Sequence, residues 1–372
     1  MKRILFLNLT TFSKTGGIER FNRCFLKALS DLDSKKITDS HAYSAYDSNV
    51  LEQYYPKEKY RTFAGKKTFF VLASIAAAAR YDVIFLGHIN MAIIGVAIKR
   101  LYPAKKIILI THGIDVWREL TGFRHQVLKS ADRILSVSNF TKTKLIDLHG
   151  VSSDKVTVFH NTIDPFFPKP ESLAKSGTHN TRYDIGKDDF VIFTLTRLSA
   201  TELYKGYDKV IEALGQIIKT HRQLKYVIAG KYDDAEKQRI DSLVIEYGLQ
   251  GHVILTGFVK EEELVEHYQM ADMYIMPSKK EGFGIVFIEA LVCGLPVVAG
   301  NADGSADALL NGELGTLVNP DSVEEIQGAI VKHIENNYRQ NEKQRLEIRQ
   351  KTLDNFAFDK YRQRLEHIIA AC

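Results

Sequence analysis

The stretch SKKEGFGIVFIEALVCGLPVV, residues 278–298, predicts a strand end, a glycine-broken loop, a helix and a second strand in that order. Gly282 and Gly284 permit backbone conformations that residues with a Cβ resist. The first N–H groups of a helix opening near Gly284 lack partners inside it and point toward any anion in the loop. Glu281 in the loop and Glu289, roughly a turn and a half into the helix, can face one cleft. The stretch indicates either a polar ligand site or a buried strand–helix–strand unit with two solvated glutamates.

Similar apolar runs alternate with helical patterns along the whole chain. They predict strands at 3–9, 82–86, 107–110, 133–137 and 156–159, and then at 190–195, 225–229, 252–255, 272–276 and 296–299. Helices are predicted at 68–80, 91–101, 140–148, 322–336, 338–353 and 360–371. Strands that alternate with helices favour parallel sheets covered on both faces.

The segment 165–180 interrupts this alternation with three prolines and predicts a domain boundary. A length of 372 residues also exceeds what one ordinary core supports. We therefore predict an α/β protein with two Rossmann-like parallel-sheet domains facing a central cleft. The first spans 1–168, the second spans 181–354, and the C-terminal helix at 355–372 is expected to pack back on the first.

The two parts of the chain carry opposite charge. Residues 1–165 contain 25 Lys and Arg against 14 Asp and Glu, a net charge of +11, so the remainder of this +5 chain carries −6. A basic part indicates an anionic partner such as a membrane surface, a phosphorylated acceptor or nucleic acid, or else a solvated face. Contact with an anionic membrane is expected where basic residues stand beside the apolar stretch 69–72: Lys57, Lys59, Arg61, Lys66 and Lys67.

Several classes of protein are disfavoured by the composition. No apolar run approaches the roughly 20 residues of a membrane span, and the start of the chain lacks an apolar leader, which predicts a cytoplasmic location. Cys24, Cys293 and Cys372 are too widely spaced to indicate a disulfide framework or a zinc cluster. No H-E-x-x-H motif is present, and no metal site is predicted.

Polar motifs follow predicted strands in both halves, where open α/β sheets bind ligands. Arg197 and Lys205 together can neutralise a diphosphate from two directions, although such a pair is also common on ordinary surfaces. His112, followed by Gly113, can place an imidazole beside a reacting centre or serve as a structural histidine.

Two further motifs lie in the first half. Gly16 and Gly17, followed by Glu19, form a loop that can approach a phosphate, with helix packing as the alternative. Asn161, at the end of another strand, is equally compatible with a plain turn before the linker.

In their order along nearly the whole chain, these motifs resemble those of GT4-type retaining glycosyltransferases with the GT-B architecture. The resemblance is carried by the sequences at 16–19, 112–113, 161–164, 197 with 205–206, and 281–290. It implies that Arg197 and Lys205 bind the donor diphosphate, while Glu281 holds the transferred sugar and Glu289 the ribose. The glycine-rich stretch that includes Gly282, Phe283 and Gly284 would complete the donor site.

The same resemblance assigns the remaining candidate residues. Gly16 and Gly17 would approach the donor phosphate or the acceptor, and His112 would border the reaction centre together with Arg197, Lys205 and Glu281. The acceptor side would include Glu19, Asp115 and Asn161. Binding of the acceptor is expected in the first domain and of the donor in the second, without a metal or cofactor.

The chain departs from the family pattern after the second strand of the opening stretch. Many relatives carry a Gly-Gly-x-x-Glu loop there, whereas this chain has GNADGSADA at 300–308, so the part of Asp303 to Asp307 in sugar recognition stays open. The usual Asn-Gly-Val-Asp is replaced by NTID at 161–164, a milder change.

The resemblance implies transfer of a sugar from a nucleotide diphosphate sugar, with UDP-glucose or GDP-mannose favoured, to a polysaccharide or lipid-linked glycan acceptor. Retention of anomeric configuration is expected without an assigned covalent nucleophile. A nucleotide-sugar epimerase of the same architecture and a non-catalytic nucleotide-sugar-binding partner of another transferase are the alternatives. Peripheral contact with an anionic membrane at the inner face of the plasma membrane is a further expectation, and no nucleic-acid partner is expected.

Overall fold

The computed structural model describes residues 1–336 and 341–372 and divides the chain into two compact units. The first unit comprises Met1–Phe166 and Phe356–Cys372, and the second comprises Phe167–Asn355. The end of the chain therefore belongs to the first unit, and most of the proline-containing segment belongs to the second. The start of the helix predicted at 338–353 lies outside the described residues.

The first unit is built on a parallel sheet that has seven strands in the described part of the chain. The strands are β1 (Lys2–Asn8), β2 (Thr38–Ser44), β3 (Tyr60–Thr62), β4 (Val83–Leu86), β5 (Lys106–Thr111), β6 (Arg133–Ser136) and β7 (Val156–Val158). They lie in the order β3-β2-β1-β4-β5-β6-β7. All four residues of β4 are buried, as expected for a strand covered on both faces.

Helices connect these strands. They are α1 (Gly17–Ser34), α2 (Lys67–Ala78), α3 (Ala92–Leu101), α4 (Gly122–Ser130) and α5 (Asn139–His149). Helix α5 has clear start and stop signals: the Ser138 hydroxyl accepts a hydrogen bond from the Thr141 N–H, and Gly150 ends the helix in the left-handed conformation.

The second unit repeats this plan with six strands among its described residues. The strands are β8 (Phe190–Leu195), β9 (Leu224–Ala229), β10 (Val253–Gly257), β11 (Met273–Met276), β12 (Val297–Gly300) and β13 (Thr316–Val318). The helices are α6 (Tyr207–Ile217), α7 (Asp234–Glu246), α8 (Leu264–Met270), α9 (Ile285–Val292), α10 (Ser305–Ala308), α11 (Val323–Glu335) and α12 (Glu342–Phe356). The parallel strands run in the order β10-β9-β8-β11-β12-β13. The prediction of two Rossmann-like parallel-sheet domains is confirmed.

Sequence periodicity missed three strands. β2 reads TDSHAYS and buries Thr38, Ser40 and Ser44 rather than large apolar side chains, so it lacks the apolar run that marked its neighbours. β3 and β13 have three residues each, of which only Tyr60 and Val318 are buried, so neither strand forms a clear apolar run.

The last helix, α13 (Phe358–Ala370), packs within the first unit through aromatic contacts. The ring of Tyr361 lies 4.4 Å from that of Phe159 and 6.2 Å from that of Phe21, measured between centroids. In the described part of the chain, no helix is long and apolar enough to cross a bilayer.

We predict opposite outcomes for two substitutions of Tyr361, which is 1% exposed and whose hydroxyl has no hydrogen-bond partner among the described residues. Tyr361→Ala should lower the free energy of unfolding by about 3–5 kcal/mol, because it removes a packed aromatic ring. Tyr361→Phe keeps the ring and should leave stability unchanged or slightly raised. Urea unfolding measures both, and an equal loss in the two variants would show that the hydroxyl has a partner.

Candidate active site

Both sheets have a point at which the strand order reverses. In the first unit the chain runs outward from β1 to β3 and then crosses to β4, on the other side of β1. In the second unit it runs from β8 to β10 and then crosses to β11. Open α/β sheets bind ligands at this point, beyond the carboxyl ends of the strands. The loops after β1, β4, β8 and β11 are therefore the candidate ligand-binding loops.

An ion pair joins the two candidate loops of the second unit. Lys205 lies before α6, Glu281 follows β11, and their side chains pair while each remains 15% exposed. Burial alone would lower the pKa of Lys205, but the Glu281 carboxylate outweighs this effect and raises it above its ordinary value. The structure thus brings together two predicted site residues that lie 76 positions apart.

Gly206 allows these loops to approach each other. It has φ +76°, and a Cβ added there would lie 2.3 Å from the carbonyl oxygen of Pro277. A side chain at this position would push the turn that carries Lys205 away from the loop that carries Glu281.

A second lysine stands beside this ion pair. The ammonium groups of Lys205 and Lys280 lie 5.4 Å and 5.5 Å from the centre of the Tyr204 ring. Sequence reasoning did not select Lys280, although its position next to Glu281 is a signal that could have found it. Two cations and one carboxylate therefore share this part of the second unit.

Arg197 follows β8 and pairs with a carboxylate of its own loop. Its side chain is 70% exposed and pairs with Glu202 in the same loop. Binding of a diphosphate by Arg197 would therefore require the guanidinium to exchange this partner.

The two glutamates of the opening stretch have different surroundings. Helix α9 begins directly after Gly284, as predicted. Glu289 on this helix is 2% exposed and accepts a hydrogen bond of 3.0 Å from the Tyr268 hydroxyl. Phe283 is 1% exposed, whereas Gly282 is partly exposed. Glu281 is thus the accessible carboxylate of the pair, and the ribose role of Glu289 stays a prediction.

His112 lies at the carboxyl end of β5 in the first unit. Its Nε2 is 2.8 Å from the Gly87 carbonyl oxygen, and its ring stacks on that of His88 at 6.1 Å. Burial, with a smaller effect of His88, lowers the pKa of His112 to about 3. A carbonyl only accepts, so the neutral imidazole carries its proton on Nε2 and donates it to Gly87. Nδ1 is then left with an acceptor lone pair.

Asp115 is tied to the same loop. Its carboxylate accepts a 3.0 Å hydrogen bond from the His112 backbone N–H, and burial raises its pKa to about 7. This carboxyl group therefore changes charge near neutral pH and lies within the loop that carries His112.

The other predicted residues of the first unit lie at loop ends. Gly16 and Gly17 are exposed at the start of α1, and Glu19 lies half-buried in its first turn. Asn161 is 8% exposed, and its side-chain oxygen has no hydrogen-bond partner in the part of the chain that the structure describes.

Asp47 is a residue of this unit that sequence reasoning missed. It is fully buried after β2 and accepts hydrogen bonds from the loop that follows β1 and from two neighbouring hydroxyls. The donors are Thr10 Oγ1 (3.0 Å), Thr11 N (2.8 Å), Phe12 N (3.1 Å), Ser13 N (2.9 Å), Ser44 Oγ (2.8 Å) and Tyr60 Oη (2.7 Å). This one carboxylate therefore holds the segment that leads into Gly16 and Gly17.

No group of three or more His, Cys, Asp or Glu side chains able to hold a metal ion occurs among the residues that the structure describes.

Two family models match the chain. Glycosyltransferase Family 4 matches residues 15–166, and Glycosyl transferases group 1 matches residues 178–352. The chain belongs to the GT4-type glycosyltransferases. Only residues 1–14, 167–177 and 353–372 of this GT4-type chain lie outside the two matched regions.

Named relatives of this GT4-type chain include mannosyltransferases. It is 31% identical over 253 residues to the GDP-mannose-dependent alpha-(1-6)-phosphatidylinositol monomannoside mannosyltransferase of Mycolicibacterium smegmatis, a match that covers 64% of this chain and 63% of that protein. It is 25% identical over 225 residues to the O-antigen chain mannosyltransferase B of Escherichia coli, covering 60% and 57% of the two chains. The match thus spans less than two thirds of the length of these relatives.

Solved structures show the fold of this GT4-type chain over its full length. The Anabaena protein HepE in complex with UDP superimposes with a TM-score of 0.82 at 20% identity and full coverage of both chains. The sucrose-phosphate synthase of Thermosynechococcus elongatus gives a TM-score of 0.78 at 18% identity, with coverage of 100% and 99%. These likenesses establish the GT-B fold.

We predict that Asp47→Asn lowers the free energy of unfolding by about 2 kcal/mol or more at neutral pH, because an amide cannot accept all the hydrogen bonds that the carboxylate accepts. Burial opposes ionisation of Asp47, but bonds from Tyr60, Ser44 and Ser13 outweigh it and lower its pKa below 3.8. The carboxylate therefore stabilises the fold above pH 3.8, and this stabilisation is lost as the pH falls through the folded-state pKa.

Urea unfolding between about pH 3 and pH 7 measures this effect. The difference between the wild type and Asp47→Asn should be full near neutral pH and shrink in acid. Asp147→Asn, at an exposed position on α5, is the control and should differ little from the wild type throughout. A difference for Asp47→Asn that stays constant with pH would contradict the role of the charge.

Proposed function

We propose that this chain is a retaining glycosyltransferase that moves a sugar from a nucleotide diphosphate sugar to a lipid-linked or polysaccharide acceptor. The observation that carries the proposal is the ion pair of Lys205 and Glu281 at the strand-order reversal of the second unit. A charged pair that is only partly exposed, with Lys280 nearby, suits a ligand that combines phosphates with sugar hydroxyls. The names of the relatives support the same chemistry.

GDP-mannose is the donor that we propose first, with UDP-glucose as the alternative. The Mycolicibacterium smegmatis relative is named as GDP-mannose-dependent, and the Escherichia coli relative is named as a mannosyltransferase. The Anabaena structure was determined with UDP and also with UDP-glucose, but its similarity to this chain is lower in sequence.

The second unit would stabilise the leaving nucleotide diphosphate. Negative charge grows on the diphosphate as the bond to the sugar breaks, and cations placed beforehand stabilise it without reorganising water. We assign this role to Lys205, with Lys280 beside it and Arg197 after release from Glu202. Glu281 would hold hydroxyls of the transferred sugar as a hydrogen-bond acceptor.

The first unit would bind the acceptor. His112 is neutral and donates from Nε2 to Gly87, so it can offer the acceptor only its Nδ1 lone pair. Through Nδ1, His112 would accept a hydrogen bond from the acceptor substrate and would not donate a proton to it. No covalent nucleophile is assigned, and the proposal needs no metal or cofactor.

A membrane-facing acceptor would be consistent with the surface of α2. Phe69 is 68% exposed and Leu72 is 60% exposed on one side of this helix, next to exposed Lys66 and Lys67. Apolar side chains flanked by lysines favour peripheral contact with an anionic bilayer. Of the other basic residues near this stretch, Lys59 is engaged by Asp33 and Asp39.

Donor binding tests the proposal directly. The purified chain should bind GDP-mannose or UDP-glucose, detected by thermal shift and quantified by calorimetry. Lys205→Met should weaken binding at least about tenfold because it removes the cation that we assign to the diphosphate, and Glu281→Gln should do so because it removes the carboxylate that we assign to the sugar hydroxyls. Lys237→Met removes a lysine of a solvent-exposed ion pair on α7 and should leave affinity unchanged.

Three outcomes would contradict the proposal. Absence of binding across UDP, GDP and ADP sugars would reject donor recognition. Conversion of a nucleotide sugar without any acceptor would indicate an epimerase. Tight binding without turnover on any glycan or lipid-linked acceptor would indicate a binding partner of another enzyme.

Membrane contact is tested by vesicle cosedimentation. A double substitution of Phe69 and Leu72 by Ser should reduce binding to phosphatidylcholine vesicles containing phosphatidylglycerol at least about tenfold, since each apolar side chain contributes roughly 1.5–3 kcal/mol when buried. Ile245→Ser, at a position 65% exposed on α7 of the second unit, is the control and should bind as the wild type does. Binding that does not change with the phosphatidylglycerol content or with salt would show that the lysines beside Phe69 and Leu72 do not contribute to membrane binding through their charge.

A further inference from the structure

The segment 300–308, which departs from the family pattern, packs against the loop that carries Glu281. Asp303 lies between β12 and α10 and is 1% exposed. Its Oδ2 accepts a 2.6 Å hydrogen bond from the backbone N–H of Glu281, and its Oδ1 accepts a 2.9 Å bond from the backbone N–H of Ser305. The bond to Ser305 is local, whereas the bond to Glu281 joins two loops.

The backbone of Glu281 is held on both sides. Its N–H donates to Asp303, and its carbonyl oxygen accepts a 2.8 Å hydrogen bond from the N–H of Gly304. Gly304 can come this close because it has no side chain: an added Cβ would lie 2.1 Å from the carbonyl oxygen of Gly282. With both peptide groups fixed, the direction in which the Glu281 side chain leaves the backbone is also fixed.

The side chain of Asp303 is itself too buried to touch a ligand. Its effect must pass through Glu281, whose carboxylate pairs with Lys205. A small rotation of the Glu281 peptide groups would move that carboxylate relative to Lys205 and to the sugar that we propose it binds.

We propose that Asp303 is a positioning residue that sets affinity for the sugar part of the donor by orienting Glu281. This inference rests on the proposed function of the site. It assigns to Asp303 a specific effect on the sugar and not on the nucleotide diphosphate, because Glu281 is the group that would meet the sugar hydroxyls.

The charge of Asp303 provides a second way to test this role. Burial, with a smaller contribution from Glu281, raises the pKa of Asp303 to about 7. The titratable group that acts on it is Glu281, whose carboxylate pairs in turn with Lys205. Above this pKa the carboxylate accepts both N–H bonds with full charge, and below it the acquired proton weakens one of them.

The test compares bare and sugar-bearing nucleotides. Affinities for GDP, GDP-mannose, UDP and UDP-glucose are measured by calorimetry on the wild type, Asp303→Asn and Asp303→Gly. The variants should bind the preferred nucleotide sugar about tenfold more weakly, the loss expected for one charge-assisted hydrogen bond, while binding the corresponding diphosphate within about twofold of the wild type. Asp303→Gly removes the whole carboxyl group and provides a second variant that tests the same role without an amide in the buried site.

Asp272→Asn is the matched control. Asp272 is 7% exposed and also accepts a long-range backbone bond, 2.7 Å from the Val191 N–H, but at the amino ends of β8 and β11. Its substitution should lower the melting temperature without changing the ratio of the two affinities. Equal weakening of sugar nucleotide and diphosphate in both Asp303 variants, or no weakening, would overturn the positioning role.

The pH dependence separates positioning from general stability. As the pH is lowered from about 8 to about 6, the gain in affinity contributed by the sugar should fall in the wild type relative to Asp303→Asn, because the amide does not titrate. The terminal phosphate of the free diphosphate titrates in this range as well, but it does so equally with both proteins. The same slope in both proteins would overturn the inference. A wild type that binds neither nucleotides nor nucleotide sugars would instead reject the proposed function, and the inference with it.

Discussion

Parallel strands can be joined only by crossovers that return the chain to the same end of the sheet, and this constraint organises both units. Every strand then ends at one edge, so polar loops far apart in sequence become neighbours there. Where the strand order reverses, adjacent strands send their connections in opposite directions and leave a crevice. Lys205 and Glu281 meet at this place in the second unit, after strands that are neighbours in the sheet.

Buried carboxylates hold the loops at these edges. Asp47 accepts bonds from the loop after β1 in the first unit, and Asp303 accepts one from the loop after β11 in the second. A carboxylate can accept several N–H bonds at once, which makes it an effective anchor for irregular backbone that has no strand or helix partner. Their surroundings differ in one respect: many donors lower the pKa of Asp47, whereas burial raises that of Asp303 to about 7. The first anchor is therefore permanently charged at neutral pH, while the second changes charge there.

The opening stretch contains two glutamates with different environments. Glu281 is partly accessible and faces a lysine, so it is available to a ligand once that ligand competes for Lys205. Glu289 is buried against the Tyr268 hydroxyl, and the same helix that carries it supplies packing residues for the second unit. Two residues of the same motif can therefore differ in their access to a ligand, because Glu281 lies in the loop whereas α9 turns the face that carries Glu289 toward the core.

The amino-acid sequence by itself determined the α/β class, the positions of the main strands to within about two residues, the start of α9 after Gly284 and the candidate loops, since these depend on local periodicity and on glycine. It did not reveal β2, whose buried residues are small and mostly polar, or the short strands β3 and β13. Only the tertiary structure decided that Lys205 pairs with Glu281, that Asp47 anchors the first glycine loop, and that Asp303 holds the Glu281 backbone. The physical reason is that each of these contacts joins residues tens of positions apart, and their partners are chosen by sheet topology rather than by neighbouring sequence.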